Sequence, residues 1–335
     1  MSFAVSPDGL DRYAVLVADQ ERHTDAMASY HEAEIAPAMD WGGVLALLGE
    51  VYPTMVADLN DSVTKVTELF QWSSEGLHET AQQYRDMDQE QAEQLDRVMP
   101  GVVAGTMPAF ETNFTPLFGE TADATAALVA PGNYEAQFRW QMDILDALGV
   151  SITALVRQLL VSAVSYDPFE PILRDWTGDW AKMRSLADVW HNTGKAFEML
   201  GTNIKVGAGH LRSAWSGNAA DQAIGYFANF AESLNGKRDF CYFVRDKLID
   251  AANGASEMFK AASGLISAAI DWAVTASVAA GAGTATIEVY GVGLLGWGVA
   301  AFAVSRVVSN CADAANLISK YKNIIEGSIG ALKNI

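Results

Sequence analysis

Two matched seven-residue seams on either side of one tripeptide constrain this chain more than any other feature in it. Met183, Trp190, Phe197, Ile204 and Leu211 recur at sevens, with Leu186, Leu200 and the small residues Thr193 and Gly207 between them. After Trp215-Ser216-Gly217 a second set follows at Ala220, Phe227, Leu234, Cys241 and Leu248. A seven-residue apolar repeat lays one stripe along one side of a helix and needs a facing helix to cover it. Two stripes joined by so short a break meet only if the chain folds back, so the spacing predicts an antiparallel helical hairpin. Gly217 supplies the positive φ that a tight reversal requires, and Trp215 an indole to lie across the hairpin's end. A strand or an unbroken helix through the tripeptide would remove the reversal and what is built on it.

The first hundred residues repeat the theme. Residues 8–39 read as a helix, with Asp8 as its N-cap and Leu10, Tyr13, Val17, Met27 and Tyr30 on its apolar side. Asp40-Trp41-Gly42-Gly43 interrupts it. Pro53 predicts a fresh helix start, after which Val63, Phe70, Leu77 and Tyr84 fall at sevens, with Leu59 and Val66 in the second stripe. Pro, Gly and Thr then crowd the chain into a linker. Farther on, the apolar runs Ile266 to Ala280 and Tyr290 to Val304 flank Gly281 and Gly283, with Asp271 and Glu288 as their charges. They read as a hydrophobic hairpin, followed by an amphipathic tail helix carrying Leu317, Ile318, Ile324 and Ile325. Each run approaches the ~20 apolar residues of a membrane span without clearly reaching it, which leaves a buried core hairpin and a bilayer-entering one both open.

The expected architecture is all-α: elongated antiparallel helical hairpins in a bundle, with a hydrophobic hairpin toward the C-terminus. Its segments are an acidic hairpin over residues 1–100, a linker over 101–133, a connecting helix over 134–165, the second hairpin over 166–260, and the apolar hairpin with its tail helix over 261–335.

Composition narrows the function. At 335 residues the chain can bury a full core without disulfides or metals. Residues 1–100 carry 19 acidic and 5 basic side chains within a whole-chain net of −19, a surface that repels phosphate backbones and anionic head groups. This argues against nucleic-acid binding and makes any membrane contact hydrophobic rather than electrostatic. Cys241 and Cys311 have no CxxC or Cys/His ligand spacing, so they read as buried small hydrophobes or as a disulfide. His23, His31, His78, His191 and His210 form no metal motif and read as helix-surface or partly buried side chains. Gly291-Val292-Gly293-Leu294-Leu295-Gly296 matches a dinucleotide fingerprint, but no alternating β/α pattern surrounds it. No pair of carboxylates stands out as acid and base. The expectation is therefore a non-enzymatic protein without cofactor or metal. Met1 to Tyr13 lacks the basic flank and apolar run of a secretory signal peptide, so export would need a route that reads folded structure.

The run Leu211-Arg212-Ser213-Ala214-Trp215-Ser216-Gly217-Asn218-Ala219-Ala220-Asp221 resembles the turn of the WXG family of type VII (ESX) secretion substrates. The likeness covers residues 167–250, and Asp167-Pro168 with Asp175-Trp176 is similar to the start of actinobacterial members. Residues 1–100 resemble a second, more diverged member, with Trp41-Gly42-Gly43 near its hairpin break and Tyr84-Arg85-Asp86-Met87-Asp88 matching the YxxxD/E export motif. Tyr30, Tyr166 and Tyr242 begin the same pattern, but Tyr84 is the one that follows a complete hairpin near a domain boundary.

The resemblance implies a composite export signal made by Tyr84 and Asp88 together with Trp215 and Gly217, with Trp41 and Gly43 as a second turn. It also implies a secreted or envelope-associated protein whose partners are the type VII secretion ATPase, a small WXG protein or chaperone, further copies of itself, or a target membrane. Asp271 and Glu288 would govern that last contact, since protonating them lowers the cost of insertion. The trafficking region of a polymorphic toxin and an unrecognised α-helical enzyme are the alternatives.

Overall fold

A serine–proline pair starts the first helix. Ser6 is extended at φ −110° and its side chain accepts from the Gly9 N–H, while Pro7 occupies the first turn, where its missing donor costs nothing. The expected cap, Asp8, lies two residues farther on, within the first turn, where its charge still suits the helix N-terminus. In the computed structural model, which describes residues 3–35, 39–87, 89–99, 118–139, 143, 154–176, 178–286 and 293–333, the chain is all-α. Its order is β1 (Ala4–Val5), α1 (Pro7–Glu34), α2 (Ala46–Asp86), α3 (Gln89–Val98), α4 (Ala154–Val164), α5 (Glu170–Trp176), α6 (Trp180–Ala214), β2 (Trp215–Ser216), α7 (Asn218–Thr286) and α8 (Gly293–Lys333).

Three expectations about helix ends are corrected. Pro53 does not start α2 but sits inside it. Leu45, Leu48, Tyr52, Met55 and Leu59 are all buried at three- and four-residue spacing through the proline, and that burial holds the helix against a defect of about 3 kcal/mol. Gly281 does not turn the chain: α7 is one helix of 69 residues running to Thr286, so the expected boundary at 260/261 falls within it. A glycine weakens a helix by about 1 kcal/mol, too little to end one whose alanines at 262, 269, 273 and 276 are buried. The tail helix expected after residue 306 is likewise the continuation of α8. The Gly291-to-Gly296 fingerprint lies partly, and the chain between α7 and α8 wholly, outside the described residues.

The chain divides into two compact units, each assembled from three separated stretches. The first contains residues 1–37, 54–131 and 188–245. In it α1 and α2 run antiparallel: Thr67 Oγ1 donates to Thr24 Oγ1 at 2.7 Å, and Ser74 Oγ to the Ala14 carbonyl at 3.0 Å. So do α6 and α7, with Trp190 against Phe240 at 5.8 Å and Gly201 against Ala231 and Leu234. Between the hairpins, α1 meets α6 where the Tyr13 hydroxyl donates to the Ile204 carbonyl at 3.1 Å. On the other side α2 meets α7, through Phe70 against Phe230 at 5.0 Å and Ser73 against the Tyr226 hydroxyl at 2.8 Å.

The result is a four-helix bundle built from two hairpins of one chain. Every residue of the two seams around Trp215 is buried, as are Leu59, Val63, Val66, Phe70 and Leu77. Gly207 lets α1 and α6 approach, since a Cβ there would lie 2.4 Å from the Tyr13 ring and 2.6 Å from Leu16.

A strap crosses this bundle where the sequence suggests a linker. Asn203 fixes it: its Oδ1 accepts from the backbone N–H of Thr121 and Ala122 at 2.9 Å each, and its Nδ2 donates to Gln20 Oε1 and the Ala122 carbonyl. Glu120 reaches the buried His23 Nε2 at 2.7 Å, and the Val129 carbonyl accepts from Tyr30 and Asn192 at 2.8 and 2.9 Å. His23 and His31 are thus buried and partnered rather than at the surface.

The second unit contains residues 38–53, 132–187 and 246–335. A 3-10 turn, Gly43–Leu45, packs on α5, and the Asp179 N–H donates to the Asp40 carbonyl at 3.0 Å. Helix α8 also packs on α5. Trp272 of α7 meets Phe302 of α8 edge-on at 5.6 Å, so α8 must return along α7 after the connection between them. Ala300, Ala303, Val307, Cys311, Ala314 and Ile318 form the buried face of α8 at three- and four-residue spacing. Cys241 and Cys311 are both free and buried.

Candidate functional site

Gly217 makes the turn between α6 and α7 with φ +129°, a region closed to side chains, and Trp215-Ser216 on its N-terminal side is extended. These two residues pair antiparallel with Ala4-Val5, Ala4 opposite Ser216 and Val5 opposite Trp215, in a two-residue ladder that the sequence does not announce. The Ser6 N–H continues it, donating to the Ala214 carbonyl at 2.7 Å. The ladder lies within the reversal and does not replace it, because α6 and α7 still pack antiparallel on each other. Arg212 and Asp221 bridge the turn at 3.6 Å.

Asp96 holds this turn from another helix. Its carboxylate accepts from the backbone N–H of Asn218 at 3.1 Å and of Ala219 at 2.9 Å, which satisfies two of the open donors at the start of α7. Asn218 Nδ2 returns the contact, donating to the carbonyls of Asp96 and Met99 at 3.2 Å each. A Cβ at position 217 would lie 2.7 Å from both Asp96 carboxylate oxygens, so a glycine is needed there for space as well as for φ. Asp96 lies over a hundred residues from the turn, and no local pattern marks it in the sequence.

Tyr84 stands on the other side of the turn. Its ring meets the Trp215 indole edge-on at 5.9 Å, and the Phe3 ring packs on it at a tilt, also at 5.9 Å. Trp215 is 5% exposed, and its indole N–H, without a hydrogen-bond partner among the described residues, nears the Tyr84 hydroxyl outside hydrogen-bond geometry. Burial raises the Tyr84 hydroxyl above its ordinary value; the indole N–H opposes the rise and the Asp96 carboxylate adds to it. Tyr84 therefore stays a neutral, half-buried phenol. Beside this cluster α3 and the residue after it expose Leu95, Val98 and Met99, Val98 to 77%.

Of the residues singled out in the sequence, Tyr84, Trp215 and Gly217 thus come together at one end of the first unit's bundle. Asp88 lies outside the described residues. Trp41 and Gly43 belong to the second unit: Trp41 packs on Tyr52 at 5.3 Å and over Gly49, and Gly43 enters the 3-10 turn at φ +59°. Asp271 is exposed on α7, while Glu288 lies outside the described residues. Among the described residues no group of three His, Cys, Asp or Glu side chains is placed to hold a metal ion. No protein-family model, curated protein or solved structure matches this chain.

Proposed function

We propose that the protein is a non-enzymatic substrate of a type VII (ESX-like) secretion system, exported folded and recognised at the Trp215 end of its four-helix bundle. The observation that carries this reading is the contact of Tyr84 with Trp215: the export-motif tyrosine of one hairpin lies against the WxG turn of the other. A family whose substrates pair two hairpins would present the same combination from two chains; here one chain supplies both. Trp215 and Gly217 shape the turn from beneath, and Tyr84, Leu95, Val98 and Met99 offer the surface that the secretion ATPase grips. The cargo then acts outside the producing cell by binding partners.

The test compares culture filtrate with lysate in cells with the secretion ATPase intact and deleted. Retention in the deletion alone is expected, and Tyr84→Ala and Trp215→Ala should be retained in intact cells while keeping native helicity. Export of both folded variants at the normal level refutes the proposal. A second reading, contact with a target membrane, draws on α7, which is among the described residues the one helix long and apolar enough to cross a bilayer. Its most apolar window has mean hydropathy 1.4 and is only 28% buried. Co-flotation with liposomes at neutral and mildly acidic pH tests it, and no flotation at either pH rejects it.

A further inference from the structure

The second unit holds a pocket of about 330 Å³ where α4, α7 and α8 meet, open to solvent past Ala163 and Ala301. Nine of its ten lining residues are aliphatic and six are alanine, so the helices approach without filling the space between them. Val156 and Leu160 come from α4, Ala276 and Ser277 from α7, and Ala300 and Val304 from α8. The one hydroxyl in the wall is already used, since Ser277 Oγ donates to the Val274 carbonyl at 2.7 Å. A polar or charged ligand would therefore lose its hydration and find at most the Ser277 hydroxyl oxygen as an acceptor, whereas an apolar pocket of this kind takes up hydrocarbon readily.

The shape selects among hydrocarbons. The lining runs along two turns of α4 and of α7 and one turn of α8, about 10 Å at 1.5 Å per residue along the longer two, which makes a space of this volume about 6 Å across on average. That is a slot for one methylene chain at contact distances near 4 Å, long enough for on the order of eight carbons. We propose that this slot binds a single acyl chain, taken either from a free fatty acid or from a membrane lipid. The proposal does not rest on the export reading.

Calorimetric titration of the full chain with decanoate and with decan-1-ol, both below their micellar concentrations, tests it. One-to-one saturable binding is expected, with affinities for the two within a few-fold because the walls do not read the head group. Ala276→Leu fills the slot and should weaken binding at least tenfold while raising Tm. Ala163→Leu, at the exposed edge of the α4 wall, should also weaken binding, and each variant is checked for native helicity. A parallel arm floats the protein with phosphatidylcholine vesicles. Binding of the free chain that the filling variants abolish supports the slot and identifies fatty acid as a source; flotation that they abolish supports it with lipid as the source. No saturable uptake in either arm, or uptake unchanged in folded filling variants, overturns the proposal. Export of these variants should be normal, so the two proposals fail separately.

Discussion

Replacing Gly217 by alanine tests the architecture of the turn most directly. At φ +129° a side chain carries backbone strain of about 1–3 kcal/mol. The new Cβ would also lie 2.7 Å from both carboxylate oxygens of Asp96, so that carboxylate has to move. In moving it releases the N–H groups of Asn218 and Ala219, a cap worth about 1 kcal/mol. Gly217→Ala should therefore cost about 2–4 kcal/mol, and Asp96→Ala alone about 1–2 kcal/mol. The double variant should cost little more than Gly217→Ala, because the carboxylate that clashes and the cap that is lost are the same group. A coupling of about 1 kcal/mol follows. Urea denaturation followed by far-ultraviolet circular dichroism and by tryptophan fluorescence measures all four chains. Gly217→Ala within about 0.5 kcal/mol of the parent, or strict additivity in the cycle, refutes the reasoning.

Two further outcomes follow from buried side chains. His31 is buried between the Asn60 side-chain carbonyl at 3.0 Å and the Thr193 hydroxyl at 2.9 Å, and burial holds its pKa below the usual 6.5 although the Asn60 hydrogen bond partly offsets this. The unfolded chain then binds the proton more readily, so this contribution to stability is complete above about pH 6.5 and is lost as pH falls through the lowered native value. His31→Gln should flatten the fall in Tm between neutral and mildly acidic pH; an unchanged slope contradicts the assignment. Burial also raises both thiols, Cys311 to about 12 and Cys241 higher still, so neither should react with a thiol-disulfide reagent at mildly alkaline pH until denaturant is added. Rapid modification of the native chain would contradict that.

Most of the bundle was legible because its signal is periodic. Trp190, Phe197, Phe227 and Leu234 announce a buried seam by spacing alone, and Gly217 announces the reversal. The ends of helices were less legible, since they depend on competition. Pro53 and Gly281 weaken a helix locally, but burial of Leu48, Tyr52 and Met55 around the first and of alanines before the second outweighs that weakness. Ser6-Pro7 was a readable start signal that the expectation of an Asp8 cap overlooked. Asp96, and the pairing of Ala4-Val5 with Trp215-Ser216, were not readable, because each joins residues over a hundred positions apart without any pattern around them. The same holds for the strap: Asn203 gives no sign in the sequence that it fastens residues 121 and 122.

The way the first unit draws on three distant stretches has a consequence for synthesis. When α1 and α2 leave the ribosome, the helices that cover their inner face have not yet been made, because residues 188–245 come far later in the chain. At ordinary rates of elongation the wait is on the order of 10–30 s. During that interval Leu10, Tyr13, Val17, Val63 and Phe70 face water or a helper protein, and the nascent chain is open to capture in a way the finished one is not.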